Sequence, residues 1–291
     1  MRADFIEMGE LKWKMKNEKW DSFRKGMILQ NRRRFPFSIF HSLLSWLVMV
    51  IHSLYRQRLS ASTFQWSILI FNPMSRYFIK TPWLVSKIFP DYIWKMPATD
   101  NSVYLTFDDG PHPEITPWVL DQLDLYNAKA SFFCIGKNVE RYRKVFDRIV
   151  SDGHAVGNHT YNHLNGWKTS GDIYLDDVKA AAKIFSSGFF RPPYGRIKSG
   201  QAKKIPGILG KPHARIIMWD VLSGDFDKNV KPEACFENIA ANVSAGSIIV
   251  FHDSEKAFRN LEFALPATLK FLSEAGFRLS KLENDIAEAA L

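Results

Sequence analysis

Residues 103–111 read Val-Tyr-Leu-Thr-Phe-Asp-Asp-Gly-Pro. An apolar run ends on two adjacent carboxylates, Asp108 and Asp109, and Gly110-Pro111 then turns the chain. The run at 103–107 is expected to be a strand buried on both faces. Neighbouring carboxylates repel unless a cation or a proton lies between them. The same Asp-Asp-Gly-Pro also suits a plain surface turn.

Outward from this stretch, short β-like runs alternate with helical ones. Strands are expected at 103–107, 130–134, 155–157, 189–191, 215–219, 247–251 and 277–279. Helices are expected at 115–126, 138–151, 171–186, 198–209, 232–244 and 258–274. Continuous apolar strands in strict alternation with helices indicate an α/β fold, a distorted, incomplete (β/α)7 barrel carrying an N-terminal extension. In such barrels chemistry gathers at the C-terminal ends of the strands.

Polar groups do follow the strands. After the third comes Asn158-His159-Thr160-Tyr161-Asn162-His163. The spacing of four between His159 and His163 is expected to place both rings on one face of a helical turn. With a carboxylate from elsewhere, such a pair matches a catalytic zinc site with an open position, although an isolated His-x-x-x-His is a weak signal. After the fourth comes Arg191-Pro192-Pro193-Tyr194-Gly195, a loop stiffened by two prolines. Arg191 could neutralise one carboxylate of the acidic pair, or simply lie on a rigid surface loop. Trp219, Asp220 and Asp225 follow the fifth strand, and His252 ends the sixth. His112, His154 and His213 read as structural or surface residues. Cys134 lies in an apolar run and reads as a buried thiol. With Cys235 it forms neither a disulfide framework nor a Cys-based zinc site.

The order of these motifs resembles that of the NodB-homology polysaccharide deacetylases, carbohydrate esterase family four, over roughly residues 100–282. The fourth motif departs. Where the family often has Asp-x-x-Asp-Trp, this chain has Leu222-Ser223-Gly224-Asp225-Phe226, which bears on a groove wall and substrate choice more than on the chemistry. The resemblance implies a metal-dependent hydrolase that removes N-acetyl groups from an amino-sugar polymer or oligomer, peptidoglycan or a chitin-like glycan. It implies that Asp109, His159 and His163 hold a divalent metal, with Zn²⁺ expected and Co²⁺ or another ion as alternatives. Asp108 is implied as general base, kept ionised by Arg191 and the cation. The Tyr194 backbone N–H is implied as an oxyanion donor. His252 is implied as general acid, oriented by Asp225, with an exchange of roles between Asp225 and Asp220 as the lesser option. Val250 and Phe251 would line the acetyl pocket, and Trp219 would be either a groove wall or core. Two other functions compete: a hydrolase of a non-sugar amide or imide on the same scaffold, and a non-catalytic glycan-binding protein on a retired enzyme scaffold.

The net charge of +9 is unevenly spread. Residues 1–73 hold 12 Lys/Arg against 5 Asp/Glu, whereas residues 74–291 hold the remaining 27 and 25. The basic excess therefore lies outside the expected domain and argues against a nucleic-acid partner. The chain divides into a basic and apolar extension (1–73), an aromatic lead-in expected to pack across the base or side of the domain (74–101) and the deacetylase-like domain (102–285). Residues 35–55 carry no charged side chain and are long enough to span a bilayer. Arg32, Arg33 and Arg34 before them would keep the N-terminus cytoplasmic and export the remainder. Alternatively the extension is dispensable and a soluble cytoplasmic protein starts near Met74.

Overall fold

The computed structural model describes residues 77–283, Thr99 and Pro212 excepted. The 1–73 extension, with its 35–55 run, lies outside the described residues. The strands are β1 (Tyr92–Ile93), β2 (Ser102–Asp108), β3 (Ser131–Cys134), β4 (Ala155–Asn158), β5 (Phe189–Phe190), β6 (Arg215–Ile217), β7 (Val221–Leu222), β8 (Ile248–His252) and β9 (Arg278–Ser280). The helices are α1 (Trp83–Ile88), α2 (Ile115–Asp124), α3 (Gly136–Arg141), α4 (Arg143–Ser151), α5 (Gly171–Ile184), α6 (Ser199–Ala202), α7 (Ile205–Leu209), α8 (Pro232–Ala240) and α9 (Glu255–Glu274).

All seven residues of β2 are buried, as a strand covered on both faces requires. The sheet runs β1-β6-β5-β4-β3-β2-β8-β7 in parallel, and β9 pairs with the start of β2. Tyr104 pairs with both Ile248 of β8 and Ser280 of β9. The strand β9 therefore occupies the lower half of the β2 edge that β3 occupies above.

The connection from β6 to β7 shows that the sheet curls. A flat sheet would separate these two strands by six inter-strand spacings, about 29 Å. Only Met218, Trp219 and Asp220 join them, and that much chain reaches about 14 Å when fully extended. The two ends of the sheet must therefore face each other, as in an incomplete (β/α)7 barrel. The lead-in bridges the gap. Ile79 C=O accepts from Leu222 N–H (2.8 Å), Ile93 C=O accepts from Met218 N–H (2.7 Å) and Met96 N–H donates to Gly246 C=O (2.9 Å).

Register sorts the side chains of each strand into two faces. Tyr104, Phe133, Phe189, Ile217, Ile248 and Ile93 form one buried cluster inside the barrel. On β2, Thr106 and Asp108 share the face of Tyr104, and opposite Asp108 in register lies His252. Phe107 points the other way and stacks on Phe132 (5.0 Å) and Phe251 (5.9 Å) beneath the helices. The long helix α9 covers part of this layer with Ala257, Leu261, Ala264, Leu265, Leu269 and Leu272, spaced as one apolar stripe.

Every expected strand is present, but the alternation is not strict. The strands β1 and β7 are too short to read as apolar runs, and no helix separates β6 from β7. The helix expected at 138–151 breaks at Tyr142, whose backbone (φ −119°, ψ 46°) is not helical. The one expected at 198–209 divides into α6 and α7, because Pro206 lacks the N–H that would continue the helix. Helix α9 begins at Glu255, three residues before the helix expected at 258–274. Among the described residues no helix is long and apolar enough to cross a membrane.

Ile93 is 1% exposed inside the barrel, and Trp83 on α1 is 68% exposed. Ile93→Ala is expected to cost about 2–5 kcal/mol in equilibrium unfolding, and Trp83→Ala less than about 0.5 kcal/mol. Equal effects would mean that the lead-in is not part of the core.

Candidate metal centre and active site

Asp108 and Asp109 end β2 but take separate paths. Asp108 faces the barrel interior. Its Oδ1 accepts from Arg191 Nη1 at 2.7 Å, and the guanidinium is fully buried. The same Nη1 donates to Thr106 Oγ1, while Nε and Nη2 donate to the carbonyls of Ile217 and Met218. The guanidinium also lies 4.0 Å from the centroid of the Phe133 ring. Burial lowers the Arg191 pKa, and the charge and hydrogen bond of Asp108 oppose that shift. Arg191 is therefore a buried ion-pair partner, not a surface arginine.

Asp109 turns away through a left-handed backbone (φ 82°). Asn138 Nδ2 donates to its carbonyl at 2.8 Å and helps hold this turn. Its Oδ1 lies 3.2 Å from His163 Nε2 and 3.7 Å from His159 Nε2. Ligand atoms of Asp109, His159 and His163 all lie within 4.8 Å of one another. Asp109 Oδ1 is buried and has no hydrogen bond of good geometry, a costly state unless something else binds the oxygen. Burial alone would raise the Asp109 pKa, but His163, His252 and His159 outweigh it and hold the carboxyl below its ordinary range.

His159 Nδ1 lies 2.7 Å from the Arg191 carbonyl. That oxygen can only accept, so Nδ1 carries the hydrogen and Nε2 presents its lone pair toward Asp109. Burial pushes the His159 pKa down to about 4, with His163 adding to the shift and Asp108 and Asp109 opposing it. A neutral imidazole oriented by a carbonyl, a second imidazole and an ionised carboxylate with an orphaned oxygen form a donor set suited to a divalent cation. The residues present fit such an ion.

The two histidines do not share a helical turn. They lie in a loop in which Thr160 and His163 both take left-handed conformations (φ 64° and 59°). Their ring centroids are nonetheless 5.1 Å apart. Asp177 of α5, which sequence reasoning missed, shapes this loop: its carboxylate accepts from the N–H groups of Tyr161 (3.0 Å) and Asn162 (2.9 Å) and from Asn162 Nδ2 (2.7 Å). Asn158 Oδ1 caps Thr160 N–H at 2.8 Å. Tyr194 sits at φ 61° in a tight turn, and its ring meets His163 edge-on at 4.7 Å.

His252 faces this cluster from β8. Asp225 grips it twice, accepting from its backbone N–H (2.7 Å) and lying 2.8 Å from its Nδ1. Burial would lower the His252 pKa, but the charge and hydrogen bond of Asp225, with Asp109 and Asp108, raise it to about 9. Asp220 is committed elsewhere, to Lys80 Nζ (2.6 Å) and Ser247 Oγ (2.5 Å), and does not exchange places with Asp225. Phe226 lies edge-on to His252 at 5.1 Å. Phe251 belongs to the outward aromatic layer and does not line the site, because strand alternation turns it away from His252 and Val250. Trp219 is partly buried against the Pro-Tyr-Gly loop: a Cβ on Gly195 would come within 2.6 Å of its ring. Sequence reasoning also missed Asp253, which is fully buried and accepts from Gly110 N–H (3.0 Å) and Thr116 Oγ1 (2.5 Å). Burial raises its pKa to about 8, the Asp109 charge adding to the shift and the hydrogen bonds opposing it.

Residues 95–205 match the family model described as polysaccharide deacetylase. A peptidoglycan-N-acetylglucosamine deacetylase of Bacillus cereus is 36% identical over 169 residues, 56% of this chain and 60% of that protein. The chain thus matches less than two thirds of that relative's length. A chitooligosaccharide deacetylase of Azorhizobium caulinodans is 34% identical, covering 55% of this chain and 77% of the relative. The crystal structure of the Bc1960 peptidoglycan N-acetylglucosamine deacetylase superposes with a TM-score of 0.61 at 32% identity, over 67% of this chain and 94% of that one. The chain belongs to the NodB-homology polysaccharide deacetylases.

Two outcomes are expected. Arg191→Met leaves Asp108 buried and unpaired and should cost about 3–5 kcal/mol in chemical denaturation, a loss that Asp108→Asn in the same chain partly restores. In metal-free protein the His252 ring should titrate near 9 by NMR, and Asp225→Asn should move the midpoint down. Because the folded-state pKa is raised, this histidine stabilises the fold fully below its unfolded value of about 6.5. That contribution is lost as pH rises through about 9. An unmoved midpoint in the variant would mean that Asp225 does not set it.

Proposed function

We propose that the protein is a metal-dependent N-deacetylase of amino-sugar glycans, acting on the N-acetylglucosamine units of peptidoglycan or of a chitin-like oligomer. The observation that carries this reading is the buried, orphaned Asp109 Oδ1 facing the Nε2 atoms of two histidines. The named activities of the relatives support the glycan.

Bound by Asp109, His159 and His163, a divalent cation supplies Lewis acidity toward the acetamide carbonyl and a lowered pKa for water at the site. Zn²⁺ suits two imidazoles and a carboxylate, and Co²⁺ would substitute. Asp108 takes the proton from the attacking water, and its hydrogen bond to Arg191 holds the carboxylate in place. The backbone N–H of Tyr194 donates to the developing oxyanion, a contact whose loss typically costs about 3 kcal/mol. His252 gives a proton to the departing amine. Asp225 holds the ring and keeps it protonated, as a proton donor to the amine requires. Water and the acetamide thus become acetate and a free amine. A cell-wall substrate requires the site to face outward, and the 35–55 run behind Arg32–Arg34 would supply anchor and orientation.

The test is acetate release by the full chain from N-acetylglucosamine oligomers and peptidoglycan, after chelation and metal return. Release restored by Zn²⁺ or Co²⁺ and abolished by Asp109→Ala and His159→Ala is expected. The rate should fall at alkaline pH as His252 loses the proton that Asp225 helps it keep, with Asp225→Asn moving that limb to lower pH. Metal-independent release, or activity that survives both substitutions, would overturn the proposal.

A further inference from the structure

One exposed wall beside the metal cluster is unused by this chemistry. The 164–170 loop following His163 and the 196–204 stretch following Tyr194 lie against each other. Gly166 N–H donates to Arg196 C=O (3.1 Å), Trp167 Nε1 donates to Ile197 C=O (3.2 Å) and Gln201 Nε2 donates to Gly166 C=O (3.1 Å). The approach is so close that a Cβ on Gly166 would lie 2.5 Å from the Arg196 carbonyl oxygen. The wall is thus built before any ligand arrives.

Its surface is aromatic and cationic. Trp167 is 59% exposed and Tyr194 is 60% exposed. The Arg196 guanidinium lies over the Trp167 ring at 5.3 Å and makes no ion pair among the described residues. The two stretches hold Lys168, Arg196, Lys198, Lys203 and Lys204, all exposed, and no Asp or Glu. A guanidinium beside an exposed indole, with no carboxylate partner among the described residues, has N–H donors to offer a planar anion. Arg196 follows Tyr194 by two residues, at most about 7 Å of chain, and the Tyr194 ring touches His163. Chain continuity therefore places Arg196 next to the loop that borders the proposed reaction centre.

We infer that Trp167 and Arg196 form a subsite for a carboxylate-bearing sugar next to the residue that is deacetylated, so that the substrate is an anionic amino-sugar glycan of the muramic acid type. This rests on the deacetylase reading for the chemistry but makes its own prediction about binding. Trp167 presents its exposed ring to an apolar face of the sugar, and the Arg196 fork receives the carboxylate. A lactyl carboxylate on the sugar and a carboxylate of an attached peptide offer the same chemistry to that fork.

The test is binding of matched tetrasaccharides to the metal-stripped full chain, where turnover is blocked. The probes are a neutral N-acetylglucosamine tetramer, an alternating N-acetylglucosamine–N-acetylmuramic acid tetramer, and the latter with its stem peptides. The wild type should prefer a carboxylate-bearing tetramer over the neutral one by about fivefold at low salt, and Arg196→Gln should bring that ratio close to one. Preference for the bare tetramer assigns the lactyl carboxylate; preference only with peptide present assigns the stem. A ratio near one in the wild type, or an unchanged ratio in Arg196→Gln, overturns the subsite. Acetate release by the metal-loaded enzyme is scored separately, so an inactive protein that still discriminates would sink the hydrolase reading and leave the anionic subsite standing.

Discussion

The structure depends on a charge buried where water cannot reach it. The Arg191 guanidinium has no exposed surface, and it spends its donors on Asp108, Thr106 and the carbonyls of Ile217 and Met218. A buried charge is tolerated only when paired and hydrogen-bonded throughout. Those partners come from β2 and from the segment that closes the barrel, so the demands of one side chain fix how the strands meet. Arg191 also links the two halves of the site: its side chain holds Asp108, and its carbonyl orients His159. Such a pair contributes more to placement than to net stability.

The two carboxylates ending β2 illustrate what this placement achieves. Adjacent like charges would repel, yet Asp108 and Asp109 diverge because the left-handed backbone at Asp109 turns its side chain toward the histidines. Asp108 is matched by a fixed guanidinium, whereas Asp109 is left with an oxygen that no protein donor satisfies. The proposed division of labour, with Asp108 as base and Asp109 as ligand, rests on that asymmetry.

The parallel sheet was legible in the sequence because strands covered on both faces read as continuous apolar runs, and residues 103–107 are the clearest of them. Barrel closure was not legible. The two-residue strands β1 and β7 leave no periodicity, and the lead-in joins them through backbone hydrogen bonds that any side chains would permit. The site residues stood out because acids, histidines and an arginine followed apolar runs at strand ends. The local shape of the histidine loop did not: a spacing of four suggested a helical turn, and Asp177, which organises the loop from α5, carries no motif of its own. Phe251 was misplaced for want of a register, since its neighbour His252 faces the site and strand alternation sends Phe251 to the other side. In the fourth motif Phe226, where the family often has tryptophan, keeps an aromatic ring edge-on to His252, and Asp225 keeps its grip on that histidine.

On the reading proposed above, Asp109, His159 and His163 bind one divalent ion. The most direct measurement is X-ray absorption at the zinc edge on full-length protein loaded with a single equivalent of Zn²⁺, beside a titration for stoichiometry. One tightly bound ion is expected, with two imidazole nitrogens at about 2.0–2.1 Å and oxygen ligands completing the shell, and loss of tight binding in Asp109→Ala. A folded protein that binds no ion, or binds one with the same shell when Asp109 is replaced, would contradict it.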